Sequence, residues 1–379
     1  MQTFWNNIQT KLLNYYETSR STPIISWLLN ICSIFYTFGY KIRLAMFNLG
    51  LLKKYWLNAY VISVGNITTG GTGKTPFTIE IAKYFLSHNE KVAVLLRGYK
   101  GKNTSKEVIL VSDGTEILSD YDTVGEEAIL IANSIPKAMV LAGKNRYKAG
   151  LAAISLGATV IILDDGYQHL KIQRNANILL IDSYAPFDNG MVLPRGKLRE
   201  HTSSIARATS IILTNCDRKK VSEKELKIIS SNATTKDIFQ IKSRFKGLKG
   251  INTKKSLEEK NLKKMECIAF SGIGNPNSFL DLLKRHEVII KASINFPDHH
   301  DYSSTDINNL VELAKKHNIE NIITTEKDAI KLEELCLSAP RTFWHTSLEL
   351  IWDDNNLFDK IFNNFILLKE RNSASKKGH

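Results

Sequence analysis

Cysteine is scarce in this chain, and its four copies, Cys32, Cys216, Cys267 and Cys336, are widely scattered with no C-x-x-C pair. That distribution excludes a zinc ribbon and a disulfide framework, and it fits a reducing compartment. Long apolar runs are also missing. The best, Pro23 to Tyr40, is broken by Ser26, Asn30, Ser33, Thr37 and Gly39, and it is borderline against the ~20 predominantly apolar residues of a spanning helix. No small-residue cleavage site follows it, which argues against a secretory signal. Its aromatic content and the basic Lys41, Arg43, Lys53 and Lys54 behind it suit an interfacial helix; a buried core helix is the competing reading. There is no internal repeat, no interleaving of basic and aromatic residues, and no helicase-like motif set, so nucleic acid is not expected as a partner. Acidic excess is absent too: 51 Lys and Arg against 38 Asp and Glu give +13. By itself such a balance admits nucleic acid, an anionic membrane face or a phosphorylated substrate. At 379 residues the chain exceeds the ~250–300 at which single cores stop growing, so two domains are expected.

What the chain does contain is a glycine-rich stretch from Val64 to Pro76, V-G-N-I-T-T-G-G-T-G-K-T-P. Before it, Tyr60 to Val64 is a short β-branched run of strand type. After it, Phe77 to Leu86 has helical spacing, with Ile81, Ala82 and Phe85 on one side. Strand, glycine-rich turn, Gly-Lys-Thr and helix is the order of a phosphate-binding loop. Glycines let backbone N–H groups curl around phosphate oxygens, and the helix N-terminus adds partial positive charge. Thr68, Thr69, Gly70, Gly71, Thr72, Gly73, Lys74 and Thr75 then form the cradle. Lys74 reaches the β- and γ-phosphates of ATP, and the Thr75 hydroxyl holds Mg²⁺. Thr68 occupies the position where G-x-x-x-x-G-K-[ST] has its first glycine. A ligand-free strand-to-helix turn is the plainer alternative, but it does not explain a lysine between Gly73 and Thr75.

Downstream, Lys91–Leu96, Val108–Ser112, Ala138–Ala142, Thr159–Leu163, Ile178–Asp182 and Ser210–Thr214 are strand-like runs alternating with helical segments. The pattern predicts a doubly wound parallel sheet with functional residues at strand C-terminal ends. A second, smaller α/β unit follows, with strands at Cys267–Ser271, Val288–Ile294 and Asn321–Thr325. The expected division is a membrane-associated helical segment (1–45), a nucleotide-binding α/β domain (46–217), a lysine-rich connecting region (218–264), a second α/β lobe (265–368) and a disordered basic tail (369–379). The apolar strand ending in Asp164-Asp165 has the form of a Walker B element, one carboxylate orienting Mg²⁺. Arg97, Arg146 and Arg199 follow strands or sit in glycine-rich loops, where arginines clamp phosphates bidentately. Glu126 and Glu127 open a helix, as caps or as catalytic acids. Asp298-His299-His300-Asp301 reads as metal ligands, as a general base with its carboxylate, or as surface residues. Adjacent histidines point to opposite sides, so at most one serves a given site.

Taken together the motifs resemble the tetraacyldisaccharide 4'-kinase family. The matching pieces are the phosphate loop, Arg97-Gly98-Tyr99, Gly125-Glu126-Glu127, Asp164-Asp165-Gly166-Tyr167-Gln168-His169 and Pro194-Arg195-Gly196-Lys197-Leu198-Arg199-Glu200. In the second lobe they are Gly272-Ile273-Gly274-Asn275-Pro276, Phe296-Pro297-Asp298-His299-His300 and Thr324-Thr325-Glu326-Lys327-Asp328. The resemblance implies ATP- and Mg²⁺-dependent phosphorylation of the 4'-hydroxyl of a lipid A disaccharide 1-phosphate precursor. It also implies residence at the cytoplasmic face of a bacterial inner membrane, peripheral or monotopic and in contact with anionic lipids. Two α/β lobes and an N-terminal membrane-associated helix come with it. An acid–histidine pair that deprotonates the sugar hydroxyl falls on Glu126 and His299, with Asp298 and Glu127 beside them. Asn66, Arg97, Arg146, Gln168, His169, Arg199 and Glu200 fall on the substrate side. The family usually has Asp-Glu where this chain has Glu126-Glu127, a proline at Lys197, and often another at His201. A membrane-associated switch ATPase of the partitioning or positioning type is the alternative; such proteins carry a lysine where Thr69 stands.

Overall fold

Val61, Ile62 and Val64 are fully shielded from solvent, because the strand that carries them, β1 (Tyr60–Asn66), lies between two parallel neighbours. Strands covered on both faces read as unbroken apolar runs rather than alternating ones. The computed structural model describes residues 23–98 and 107–367; the segment around Trp5 to Tyr16, Tyr99 of the arginine triplet and the basic tail 369–379 lie outside them. In chain order the other strands are β2 (Val92–Leu96), β3 (Ile109–Asp113), β4 (Met139–Ala142), β5 (Val160–Leu163), β6 (Ala176–Asp182) and β7 (Ser210–Thr214). Then come β8 (Ile238–Gly250), β9 (Ser256–Glu258), β10 (Glu266–Ser271), β11 (Ile289–Asn295), β12 (Asn321–Thr324) and β13 (Thr342–Trp352). The main helices are α1 (Pro23–Asn48), α2 (Lys74–Ser87), α3 (Glu126–Ser134), α4 (Arg146–Ser155), α5 (Glu223–Asn232), α6 (Pro276–Arg285) and α7 (Ser304–Lys316).

All of these strands join one sheet in the order β11-β10-β12-β13-β8-β7-β6-β1-β5-β2-β4-β3, with β9 against β8. The fold is α/β and P-loop-like. β8 is the hinge of this arrangement. Its first residues pair parallel with β7, and from Ile241 onward it pairs antiparallel with β13. The stretch 218–264, read as a solvated connection, thus holds α5, β8 and β9. Along β8 the buried Ile241, Phe245 and Leu248 are interspersed with Lys242, Arg244, Lys246 and Lys249, and that mixture hides a strand from composition alone.

The first half packs α2 and α3 on one face of the sheet and α4 on the other. A short helix at Leu357–Ile361 returns from the second half to that first core. There Phe358 and Phe362 meet Phe77 and Phe85, with ring centroids 5.9 and 4.8 Å apart. The two halves are therefore bound by a shared strand and a shared core.

Helix α1 docks through hydroxyl groups, one of them an interruption of the apolar run and two on its tyrosines. Ser33 Oγ donates to the Val192 carbonyl at 3.0 Å and Tyr36 OH to the Arg199 carbonyl at 2.9 Å. Tyr40 OH donates to Glu200 Oε2 at 2.6 Å. Leu29 and Phe47 are buried beneath, while Trp27, Ile34, Phe35 and Phe38 are each more than 60% exposed. Among the described residues no helix is long and apolar enough to cross a membrane.

Candidate active site

The phosphate loop runs from the end of β1 to the first turn of α2. Gly70 (φ +112°) and Gly73 (φ +79°) hold backbone conformations that L side chains rarely adopt. Gly73 is the cap from which α2 begins at Lys74, so the unpaired N–H groups of that helix's first turn border the loop. Gly65 is required for another reason: a Cβ there would lie 2.7 Å from Tyr167 Cβ and N. Only glycine lets β1 approach the turn after β5 so closely. Thr68 has no positive φ; it bridges to Leu198, and Thr69 N–H donates to the Lys197 carbonyl at 2.7 Å. The chain needs no glycine at Thr68 because the backbone there is extended and paired. Asn66 Nδ2 donates to Thr72 Oγ1 at 2.9 Å, and Gln168 Nε2 to the Asn66 carbonyl at 2.8 Å. These two residues, expected on the substrate side, shape the loop.

At the end of β5 the two aspartates have separate duties. Asp164 is 4% exposed and accepts from Thr78 Oγ1 of α2 at 2.8 Å. Burial, with the charge of Glu127 behind it, pushes its carboxyl up to about 6. Asp165 (φ +47°) pairs with Lys74 at 3.7 Å and with Arg199 Nη1 at 2.9 Å. Burial raises its proton affinity, but Lys74 and Arg199 outweigh that and hold it below the usual carboxylate range.

Among the described residues no group of three or more His, Cys, Asp or Glu forms a metal cage. Mg²⁺ beside a nucleotide does not need one, since one or two protein ligands plus phosphates suffice. Asp164 fits that duty: it is a buried carboxylate at the loop whose raised proton affinity a cation would reverse.

Three residues expected on the substrate side have partners within the protein. Arg146 is buried, and its guanidinium donates to the carbonyls of Asp165, at 3.1 Å, and of Asp164. It holds the turn after β5. Burial and then the charges of Arg146 and Arg174 push the His169 imidazole down to about 3, and its carbonyl accepts from Arg174. Glu200 is 1% exposed and pairs with Arg207 and Tyr40, anchoring α1. Arg97 is exposed at the end of β2.

The second half contributes the other wall. Gly125 (φ +84°) caps α3, and Glu126 behind it is buried. His299, in the turn after β11, holds φ +61°, with its N–H on the Gly272 carbonyl at 3.0 Å. Its Nδ1 meets Glu126 Oε1. Lys327 Nζ lies 3.1 Å from the same oxygen, and Lys331 Nζ lies 2.8 Å from Oε2. Burial alone would raise the Glu126 carboxyl. The hydrogen bonds from His299 and Lys331 and the charge of Lys327 reverse that and hold it far below the usual range. Since an ionised carboxylate only accepts, Nδ1 is the donor in this contact, and Lys327 Nζ lies 3.4 Å from the same nitrogen. Asp298 Oδ2 is 3.8 Å from Nε2. Glu127 is half-exposed, 4.0 Å from Lys327. His300 turns away, stacking on Phe296 and facing Asp306 Oδ2 at 3.3 Å. Lys327, Lys331 and Thr78 were not legible as site residues; the only sign was that Lys327 lies in Thr324-Thr325-Glu326-Lys327-Asp328.

The family model described as tetraacyldisaccharide-1-P 4'-kinase matches residues 25–366. A tetraacyldisaccharide 4'-kinase of Halothermothrix orenii is 37% identical over 322 residues, 81% of this chain and 83% of that protein. One of Pelobacter propionicus is 35% identical over 361 residues, 93% of this chain and 95% of that protein. Among solved structures, LpxK from Aquifex aeolicus, described as an "apo" form in complex with ATP, superposes with a TM-score of 0.71 at 30% identity. It covers 90% of this chain and 99% of its own.

Proposed function

The chain belongs to the tetraacyldisaccharide-1-P 4'-kinase family, and from that premise we propose how its residues divide the work of moving the γ-phosphoryl group of ATP to the 4'-hydroxyl of a tetraacyldisaccharide 1-phosphate, a step of lipid A biosynthesis. One observation carries the assignment: Glu126 from the first half and His299 from the second form one pair, and Glu127 next to it is close enough to Asp164 to raise its carboxyl. That proximity supports a single site for base and phosphate loop. His299 Nε2 takes the proton of the attacking hydroxyl. Glu126 keeps the imidazole in the tautomer that permits this and stabilises the imidazolium that forms. Lys74 and the N–H groups at the start of α2 bind phosphate oxygens. Asp165 and Arg199 hold Lys74 in place by a shared charge network. Thr75 and Asp164 would hold Mg²⁺, which when bound neutralises charge on the phosphate oxygens. Catalysis here is positioning and charge neutralisation, because phosphoryl transfer asks for little covalent chemistry from the protein.

The substrate's acyl chains place the reaction at a bilayer, and α1 supports residence there. Its exposed face joins Trp27, Ile34, Phe35 and Phe38 with Leu49, Leu51 and Trp56. Lys41, Arg43, Lys53 and Lys54 accompany it, each worth about 1 kcal/mol near an anionic surface. We assign the helix to the cytoplasmic face of a bacterial inner membrane, lying on it. Burying two phenylalanines contributes about 3 kcal/mol or more, so the double substitution Phe35→Ser and Phe38→Ser should weaken binding to anionic vesicles roughly 100-fold and leave ATP affinity unchanged. Co-sedimentation equal to the wild type would remove the helix from membrane contact.

The assignment is tested with γ-labelled ATP, Mg²⁺ and the disaccharide 1-phosphate in detergent. Label on the lipid is expected. Label released only as inorganic phosphate would favour a switch ATPase instead.

A further inference from the structure

We infer that Lys331, seconded by Lys327, is a positioning residue for the proton transfer, fixing Glu126 as a permanent anion so that the hydroxyl proton goes to His299 Nε2. The inference rests on the kinase reading and adds to it two residues from the second half of the chain. The Lys331 side chain is only 2% exposed and Lys327 is 28% exposed. A buried ammonium is costly unless paired, and apolar packing at that position would ask for a leucine or methionine. Lys331 instead spends its donors on Glu126 Oε2 at 2.8 Å and the His300 carbonyl at 3.0 Å. Oε2 is the oxygen that His299 does not use, so Lys331 fixes the rotation of the carboxylate. The His300 contact ties it to the turn that carries His299.

The charge count gives the second consequence. Two ammonium groups face the Glu126 carboxylate, so the loss of either changes the charge next to the imidazole by one. On the helix side Glu127 and Tyr121 also face it, Tyr121 donating to Asp301 at 2.8 Å. On the other side stand Asp298, Asp301 and Tyr302. The nearest acids, Glu127 and Asp298, are half-exposed and screened by water. Asp306 is engaged with His300, and Asp328 with the Gly272 N–H and Thr325. With both its oxygens held by the lysines, Glu126 keeps its orientation toward Nδ1, which leaves Nε2 as the ring nitrogen that faces away from the pair. In the step itself the substrate O–H bond breaks, and its proton passes to Nε2. The oxygen forms the new bond to phosphorus, and the bond from the γ-phosphorus to the bridging oxygen breaks, the electron pair leaving with ADP. The imidazolium then gives its proton to solvent.

The test is the pH profile of kcat for lipid phosphorylation by full-length Lys331→Met and Lys327→Met, with ATP affinity and thermal stability measured alongside. Removing a cation next to the pair should move the acid limb upward by about one unit, a loss of up to about tenfold on its acid side, with KM for ATP unchanged. Lys331→Arg should return the limb toward its wild-type position. Lys327→Met leaves the core intact and keeps the test decisive where Lys331→Met fails to fold. Acid limbs at the wild-type position in the folded variants would overturn the inference and leave the kinase reading standing. A wild type that puts no phosphate on the lipid would overturn both.

Discussion

Lys74→Ala is expected to lower kcat by about 10³-fold, with a Tm within a few degrees of the wild type. The lysine is the first residue of α2, its side chain 14% exposed and 3.7 Å from Asp165. That carboxylate has a second partner in Arg199, so the truncation strands no buried charge. What disappears is a flexible cation at the loop, and one preorganised electrostatic contact is worth roughly 10²–10³ in kcat. The check is steady-state kinetics with thermal melting on the same preparation. A kcat within tenfold of the wild type would mean that this loop does not hold the transferred phosphate.

His299→Ala should cost about 10²–10⁴ in kcat, the range of a single general base, while ATP affinity stays as it is. Glu126 keeps Lys327 and Lys331, so the half of the pair left behind is not stranded. The backbone complicates this variant, because His299 sits at φ +61°. Alanine tolerates that conformation poorly, at a cost of about 1–2 kcal/mol. His299→Asn, which accepts it, separates lost chemistry from lost stability. Both variants should also lose the acid limb of the pH profile, since no imidazole remains to be protonated. Retention of that limb would assign it to another group.

The parts of the molecule legible in the sequence are the local ones. β1, β5 and β7 were readable because a central parallel strand is apolar on both faces. The phosphate loop was readable because its glycines and its lysine are fixed within a few positions of one another. β8 was not, since it interleaves charged and buried residues, and β13 pairs with it from about a hundred residues further along the chain. The pairing of Glu126 with His299, 173 residues away in the chain, was reached through the resemblance; spacing and composition do not contain it. Lys331 shows the limit more sharply, because a lysine in a lysine-rich chain reads as surface until its partner is found. Arg146 and Glu200 teach the converse. Their positions in loops look like binding positions, yet the turn after β5 and the docking of α1 use a buried cation and a buried anion as braces. Ser33, one of the breaks in the apolar run of α1, likewise looked like a defect and serves in its attachment.

At the centre of the account is one base assembled from both halves of the chain. A double-mutant cycle on Glu126→Gln and His299→Gln, read as kcat for lipid phosphorylation at saturating ATP, tests it most directly. If Glu126 acts only through His299, the double variant will be no slower than His299→Gln alone, because residues working as a unit are strongly non-additive. Losses that multiply would mean that the two side chains act independently, and that the hydroxyl proton leaves by another route.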